Sequence, residues 1–368
     1  FYEKRDIHVH VPGLEFIAGL LTKYIDELGT HEVNLFATKD SYNPKHGNLY
    51  YAGNAGAKFG EIIDPSNYGG ISPQEAWSKM WNNEKSKSAL KNSDIVCDMS
   101  WGYWPYLVHN ELQHLCHVHH GPSPGFRVKP SMDTPNLLGV GFNRAEQLEK
   151  QCALMNQPCT WMGLQNGIYL EKYPYQEKKE DYLLWVGRIY AFKGTHRFIN
   201  ICNSLKMKGI IAGGSFGDVK GYVDQVKDMC EKSQYVDYLG EVTHDKKVEL
   251  YQNAKAVLLP SIETLPGKTP DGKDTVASFI EPFGLITPEA NACGTPTIVI
   301  PSGGWQETML HRYNGFFATS DKEFMYYTRR IDEIEPQNCR KMAEYFDYRR
   351  MGSEYMKMFN YILGGGGW

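Results

Sequence analysis

The sequence predicts an α/β protein with more than one domain, and three observations support this prediction. Residues 7–11 alternate like a short strand, a glycine turn follows, residues 14–28 carry apolar side chains at helical spacing, and residues 31–37 form the next strand. This order opens a doubly wound sheet, in which residues 7–11 are either the first strand or the loop that follows it. Residues 281–304 form a second such region, with a loop, a short helix, a buried strand and a glycine turn. The length of 368 residues is sufficient for two separate cores.

Composition narrows the classes of function. The chain carries 39 basic and 43 acidic residues, so a nucleic-acid partner is not expected. The eight cysteines include no C-x-x-C pair, which predicts reduced thiols and a cytoplasmic location. No apolar run approaches the roughly 20 residues that span a bilayer. We therefore expect at most peripheral contact with a membrane.

The stretch 281–304 contains the signals of a short capped helix. Thr287 is predicted to be the N-cap, Pro288 to occupy the first helical position, and Gly294 to end the helix. Residues 295–300 then form a β-branched, buried strand.

Two carboxylates, Glu281 and Glu289, lie eight positions apart on either side of this helix start. A ligand across the helix N-terminus could have its anionic part held by backbone N–H groups and its hydroxyls held by the two carboxylates. The spacing by itself favours a plainer interpretation, a capped helix with two solvated glutamates.

Two glutamates separated by seven residues around a glycine-bearing helix start resemble the signature of the family-four (group 1) retaining glycosyltransferases. The resemblance implies the GT-B architecture, in which two Rossmann-like domains face each other across a cleft. It also implies transfer of a sugar from a nucleoside-diphosphate donor to a hydroxyl acceptor, with retention at the anomeric carbon.

A second match follows a predicted buried strand at residues 182–186. The segment Val186-Gly187-Arg188, with Lys193-Gly194 after it, resembles the family motif V-G-R-x-x-x-x-K-G. The resemblance implies that Arg188 and Lys193 hold the donor diphosphate. Two fixed cations can neutralise a leaving diphosphate, so no metal and no other cofactor are expected.

Further donor contacts are implied by the same resemblance. Residues 236–261 resemble the family segment that borders the nucleotide base, where the backbone near Val242 contacts the base. Glu289 is expected on the ribose diol and Glu281 on the sugar hydroxyls. The remaining donor contacts are expected from the backbone amides at the helix start, those of Phe283, Gly284 and Leu285.

The histidine-rich segment 114–122 allows a metal site as one interpretation. In a strand, however, His117 and His119 would face one way, and Cys116 and His120 the other, which separates the ligands. The family resemblance implies instead a histidine at the strand end that faces the donor sugar. His120 matches best, and His119 is the alternative.

The predicted domains are residues 1–168 on the acceptor side and residues 169–344 on the donor side. Residues 161–168 resemble the family segment that leads out of the first domain, and a final helix at 345–363 is expected to cross back to it. The Gly13 turn is expected to approach the donor from the first domain.

Three segments remain less determined. The aromatic cluster at 101–106 is either a platform for a sugar ring or part of the core. Residues 262–280 intervene where the family has a few residues, and they are predicted to be an inserted surface loop that acts as a lid or acceptor wall or is a tolerated decoration. The tail 364–368 is predicted to be flexible.

The donor is expected to be a UDP-, GDP- or ADP-sugar, and the acceptor a glycan, a lipid-linked sugar or a small molecule. Two alternatives remain open. One is another GT-B enzyme, such as a nucleotide-sugar epimerase or a phosphorylase, and the other is a non-catalytic subunit that binds sugar nucleotides.

Overall fold

The computed structural model describes residues 13–37, 41–51, 73–100, 104–121, 136–156, 159–214, 220–268 and 274–368. The chain divides into two compact units. The first comprises Phe1–Ile168 and Asp347–Trp368, and the second comprises Tyr169–Phe346. The strand predicted at residues 7–11 and the start of the aromatic cluster, residues 101–103, lie outside the described residues.

The first unit is built around parallel strands. Strands β3 to β6 form a four-stranded parallel sheet in chain order, and β1 and β2 form a separate parallel pair. The elements up to the unit boundary are α1 (Gly13–Leu28), β1 (Val33–Ala37), β2 (Gly47–Tyr51), α2 (Pro73–Trp81), α3 (Glu84–Asn92), β3 (Val96–Asp98), β4 (Leu115–His119), β5 (Leu137–Gly139), α4 (Phe142–Leu154) and β6 (Trp161–Gly163).

The second unit contains a six-stranded parallel sheet. Its elements are β7 (Tyr182–Val186), α5 (Thr195–Leu205), β8 (Lys208–Ala212), α6 (Lys220–Glu231), β9 (Val236–Tyr238), α7 (His244–Asn253), β10 (Ala256–Leu259), β11 (Thr264–Lys268), β12 (Asp274–Ser278), α8 (Ile286–Ala292), β13 (Thr297–Val299), α9 (Trp305–Thr308), β14 (Gly315–Phe317), α10 (Asp321–Thr328) and α11 (Pro336–Glu344). The strand order is β14-β13-β10-β7-β8-β9. The chain therefore builds outward from β7 on one side and then, from β10 on, outward on the other side.

This change of direction between β7 and β10 determines where a ligand can bind. The strands on both sides of β7 are parallel to it, so all six carboxyl ends lie at one edge of the sheet. In open α/β sheets, ligands bind beyond the carboxyl ends of the strands, at the point where the strand order reverses. A ligand site is therefore expected at the loops after β7 and β10.

The last helix, α12 (Tyr348–Leu363), belongs to the first unit and packs on α1. The Tyr348 hydroxyl donates a hydrogen bond to the Glu27 carboxylate (2.8 Å). A side chain on Gly352 would overlap the Tyr24 ring, so glycine permits the close approach of the two helices.

The C-terminal tail differs from its prediction as a flexible end. The Trp368 indole N–H donates a hydrogen bond to the Leu137 carbonyl (3.0 Å), and the Asn136 amide donates to the Trp368 carbonyl (3.3 Å). The glycines gave no indication of these contacts, because the terminal indole is what binds to the sheet of the first unit.

Asp26, near the end of α1, is a buried carboxylate that organises the segment leading into β2. It accepts hydrogen bonds from the backbone amides of Lys45 (3.0 Å) and His46 (2.8 Å), and also from the Tyr42 hydroxyl. Burial by itself raises the pKa of this carboxyl, but the hydrogen bonds outweigh burial and lower the pKa to about 2.

Because the pKa of Asp26 is lower in the folded protein than its ordinary value of 3.8, this carboxylate stabilises the fold above pH 3.8 and stops doing so as the pH falls through about 2. We expect the free energy of unfolding to lose about 2 kcal/mol from this group across that range. Urea unfolding from pH 6 downward, with Asp26→Asn as the comparison, measures the difference. Equal acid sensitivity in both proteins would contradict the assignment.

Candidate active site

Glycines line the carboxyl edge of the second unit's sheet. Gly187, Gly213 and Gly240 follow β7, β8 and β9, and the Gly213 amide donates a hydrogen bond to the Gly240 carbonyl (2.7 Å). A side chain on Gly213 would overlap the Gly187 carbonyl oxygen. The strand ends therefore approach so closely that they present backbone rather than side chains to a ligand.

The loop that carries Lys193 is held in place from two sides. Gly194 has a φ of +65°, and a side chain there would overlap the Pro260 carbonyl, so the Lys-Gly pair requires glycine at this turn. The Ile262 amide donates to the Phe192 carbonyl (2.7 Å), which joins the loop after β7 to the loop after β10.

Lys193 and Glu281 form an ion pair at this edge, between the loop after β7 and the loop that precedes α8. Their side chains are 20% and 16% exposed, so the pair is mostly shielded but can still be reached from solvent. The Lys193 ammonium also lies 4.7 Å from the centre of the Phe279 ring.

Arg188 lies on the same loop as Lys193, two residues after β7, and its side chain is exposed. Desolvation lowers the pKa of Arg188, and the Glu281 carboxylate opposes that shift.

The glycine turn after β13 fixes the backbone at Glu281. The Gly304 amide donates a hydrogen bond to the Glu281 carbonyl (2.9 Å). Side chains on Gly303 and Gly304 would overlap the backbones of Glu281 and Phe283, respectively. The Gly-Gly pair is thus explained by packing against the glutamate loop.

Helix α8 begins earlier than the sequence signals indicate, and the prediction of Thr287 as its N-cap is wrong. Leu285 occupies the cap position, and the buried Thr287 hydroxyl has no hydrogen-bond partner among the described residues. Gly284, with a φ of +81°, lets the chain turn before Thr287, and the Thr287 amide bonds to the Gly284 carbonyl (3.1 Å). The end of the helix is as predicted, with Gly294 at a φ of +80°.

The residues at this helix start have different surroundings. Phe283 is buried, with its ring edge-on to Phe346 at 5.8 Å, so any donor contact it makes would come from its backbone. A side chain on Gly284 would come within 2.5 Å of the Trp305 indole nitrogen. Leu285 is partly buried.

Glu289 lies in α8 and is held by three donors. The Tyr173 hydroxyl donates to Oε1 (2.8 Å), while the Tyr251 hydroxyl (3.0 Å) and the Lys247 ammonium (3.0 Å) donate to Oε2. The Glu289 side chain is 9% exposed. Burial, followed by the nearby Glu289 charge, raises the pKa of both tyrosines well above the ordinary value, so both phenols remain proton donors.

These partners of Glu289 were not predicted from the sequence, although one signal was present. Lys247 and Tyr251 are four positions apart in α7, so helical spacing places them on one face. Tyr173 comes from the polar connection that precedes β7, and its meeting with Glu289 depends on tertiary structure. Val242, expected near the base, lies partly buried between β9 and α7.

In the first unit, the predicted alternation along β4 is observed. The ring centres of His117 and His119 lie 6.1 Å apart, and both side chains are buried. The His117 ring nitrogen Nδ1 lies 2.6 Å from the Asp98 carboxylate on β3. His119 also packs edge-on against Trp161.

His120 lies directly after β4, at the carboxyl edge of the first unit's sheet. Its Nε2 is buried without a hydrogen-bond partner among the described residues. Burial and the neighbouring His117 lower the pKa of His120 to about 3, so its imidazole is neutral near pH 7. Gly13, the other residue predicted from this unit, is the first residue of α1.

The segment 262–280 is a β-hairpin rather than the predicted loop. Strands β11 and β12 pair antiparallel, and the pairing extends through the Phe279 amide, which donates to the Glu263 carbonyl (2.8 Å). The tip at 269–273 lies outside the described residues. Pro266 and Gly267 conceal the strand pattern in the sequence, whereas cross-strand pairing stabilises it in the fold.

The hairpin base is part of the candidate site. Phe279 packs against Phe192 (6.0 Å between ring centres) and Tyr190 (6.3 Å), beside Lys193. The Ser302 hydroxyl donates to the Glu263 carboxylate. The insertion therefore starts and ends among the residues that position the ion pair.

Within the described residues, no three His, Cys, Asp or Glu side chains gather in a way that could hold a metal ion. None of the described helices combines the length and the apolar character required to cross a bilayer.

Comparison with solved structures identifies the fold class. HepE of Anabaena, solved with UDP and glucose, aligns with a TM-score of 0.64 at 14% identity, over 95% of this chain and 96% of its own. Sucrose-phosphate synthase of Thermosynechococcus elongatus aligns with a TM-score of 0.65 at 15% identity, over 94% and 92% of the two chains. The protein has the GT-B fold, as the sequence predicted.

A family model matches almost the whole of the second unit. Residues 171–350 match the family model described as glycosyl transferases group 1, so the chain carries a group 1 glycosyltransferase domain. An uncharacterized glycosyltransferase of Methanocaldococcus jannaschii is 31% identical over 143 residues, which are 38% of this chain and 32% of that protein. The matches to curated relatives thus span about a third of those relatives' length.

Proposed function

We propose that this protein transfers a sugar from a nucleoside-diphosphate sugar to a hydroxyl acceptor, with retention at the anomeric carbon and without a metal ion. The observation that carries the proposal is the meeting of Arg188, Lys193 and Glu281 beyond the carboxyl ends of the strands, where the strand order of the second unit reverses. A site with two cations and one carboxylate suits a ligand that is anionic at one end and rich in hydroxyls at the other.

Arg188 and Lys193 would assist the departure of the diphosphate leaving group. During transfer, the bond between the anomeric carbon and a diphosphate oxygen breaks, and negative charge accumulates on that oxygen. Arg188 and Lys193 would stabilise this charge in place of a metal ion, because fixed donors in a partly dehydrated site interact strongly with developing charge. The acceptor oxygen forms the new bond on the same face of the sugar, and its proton passes to the departing diphosphate.

The carboxylates have separate roles in this proposal. Glu281 accepts hydrogen bonds from the sugar hydroxyls and, through its ion pair, aligns the Lys193 ammonium. Glu289 accepts from the ribose. The backbone of Phe283, Gly284 and Leu285 borders the diphosphate, and the backbone near Val242 borders the base.

Within the first unit, His120 and the Gly13 turn are the residues proposed to contact a sugar. A neutral imidazole suits this role, because a sugar hydroxyl can donate to or accept from it without a change in charge. The low pKa of His120 makes the neutral form the one present near pH 7.

UDP is the first donor nucleotide to test, because HepE was solved with UDP, with UDP and glucose, and with UDP-glucose. The protein is screened by thermal shift against UDP-, GDP- and ADP-sugars. A donor at about 100 times its dissociation constant adds about 2.7 kcal/mol to the free energy of unfolding. The donor that binds is then incubated with pooled glycan, lipid-linked and small-molecule acceptors, with and without a chelator.

The products decide among the alternatives. NMR of the new glycoside is expected to show the donor's anomeric configuration, and activity is expected to persist in chelator. An inverted product, or a loss in chelator that a divalent ion restores, contradicts the proposal. Conversion of the donor sugar without acceptor indicates an epimerase, and binding without any turnover indicates a non-catalytic subunit.

The hairpin base offers a prediction about Lys193. Replacing Phe279 with leucine retains apolar volume but removes the aromatic face beside the ammonium, and such a contact is worth roughly 0.5–1 kcal/mol at an accessible site. We expect donor affinity to fall about threefold, as measured by calorimetry. Val276→Ala, on the same hairpin but with a side chain 67% exposed, serves as the control and should bind like the wild type. Equal affinities for all three proteins would remove the hairpin base from the donor site.

A further inference from the structure

The cluster around Glu289 carries an inference that rests on the proposed function and makes it more specific. An ionised carboxylate offers about four acceptor positions, two on each oxygen. Tyr251 and Lys247 occupy both positions on Oε2, and Tyr173 occupies one on Oε1. These are the contacts that Glu289 makes with the described residues, so one position on Oε1 remains for a ligand.

The three donors also prevent the carboxylate from turning to offer more. The Lys247 ammonium lies 5.7 Å from the centre of the Tyr173 ring and 5.9 Å from that of Tyr251, so it is held between the two phenols that share its carboxylate. Both tyrosines are fully buried. Because only 9% of the Glu289 side chain is exposed, a ligand can reach only a small part of its carboxylate.

We infer that Tyr173, Tyr251 and Lys247 are positioning residues of the nucleotide site, and that they restrict Glu289 to one hydrogen bond from the ribose instead of one from each hydroxyl. The nucleotide is therefore recognised through a single ribose hydroxyl at this carboxylate. The other hydroxyl contributes little to affinity through Glu289.

The test uses the tightest binder among UDP, GDP and ADP together with its 2′-deoxy and 3′-deoxy forms, each titrated by calorimetry. In the wild-type protein we expect one deoxy form to bind at least about tenfold more weakly, since a hydrogen bond to a charged group is lost. The other deoxy form should bind within about threefold of the parent.

Tyr173→Phe removes the one phenol on Oε1, so the carboxylate is no longer held on that side and can turn to present a second acceptor position to the ribose. In this variant both deoxy forms should bind more weakly than the parent nucleotide, so the selectivity between the two hydroxyls is lost. A residue that merely stabilised the fold would lower all three affinities together. Tyr182→Phe is the matched control, because its buried hydroxyl donates to the Leu250 carbonyl (2.9 Å) and not to Glu289, and its selectivity should remain that of the wild type.

Equal losses for the two deoxy forms in the wild-type protein would overturn the inference, since Glu289 would then contact both hydroxyls. Unchanged selectivity in Tyr173→Phe would overturn the role of that tyrosine, and tight binding of both deoxy forms would remove Glu289 from the ribose. If none of UDP, GDP and ADP binds, the proposed function itself fails and the inference fails with it.

Discussion

Replacing Lys193 with methionine is expected to lower the rate of sugar transfer by about two orders of magnitude, because removal of one fixed donor to developing charge typically costs that much. The change also removes the ion-pair partner of the Glu281 carboxylate, which is 16% exposed. Steady-state transfer with the donor found by thermal shift measures the effect, and nucleoside-diphosphate affinity is measured in parallel.

Glu281→Gln separates the two parts of the ion pair. We expect it to reduce turnover while nucleoside-diphosphate affinity stays near that of the wild type, since the carboxylate is assigned to the sugar and the ammonium to the diphosphate.

Lys255→Met is the matched control for Lys193→Met. It removes another partly buried lysine of the same unit, paired with Asp181 and Asp332 at the amino end of β10. Transfer within about threefold of the wild type for Lys193→Met would exclude this lysine from catalysis.

Gly304→Ala is expected to reduce the free energy of unfolding by about 3 kcal/mol, the upper part of the range for overpacking in a closely packed site. The added methyl group would overlap the backbone of Phe283, which cannot rotate away as a flexible side chain could. The Gly304 amide also holds the Glu281 carbonyl, so the fraction that folds should have a displaced carboxylate and impaired transfer.

Gly221→Ala provides the comparison for this variant. Gly221 lies in α6, and a methyl group there meets no atom of the described part of the chain within 4 Å. Alanine in a helix is favoured over glycine by roughly 0.5–1 kcal/mol, so this variant should be as stable as the wild type or more stable. Chemical unfolding of the wild type, Gly304→Ala and Gly221→Ala measures the change in the free energy of unfolding for each variant. If Gly304→Ala unfolds like the wild type, the glycine turn does not constrain the Glu281 loop.

Much of the second unit could be predicted because its signals are local. β-branched and aromatic runs indicated the buried strands, and glycine at Gly294 and Gly194 marked positions where the backbone has a positive φ. The motif spacing around Arg188 and Lys193 then indicated a group 1 glycosyltransferase domain, and residues 171–350 match the model of that domain.

Three predictions were wrong, and in each case a structural feature that the prediction did not take into account explains the difference. Thr287 resembles a cap by type and spacing, but the turn at Gly284 starts the helix before it. The hairpin β11–β12 is held by pairing between its own strands, which a reading of one strand at a time does not detect. The tail is ordered by one terminal tryptophan that binds the sheet of the first unit.

The sequence by itself determined the fold class, the strand ends that carry Arg188 and Lys193, and the spacing of Glu281 and Glu289, because each depends on residues close together along the chain. Tertiary structure decided which partners those charges acquire. Lys193 meets Glu281 across 88 positions of the chain, and Tyr173 meets Glu289 across 116. Contacts at such separations are set by the order of strands in the sheet, since parallel strands bring distant carboxyl ends to one edge, and that order is not encoded in any single segment.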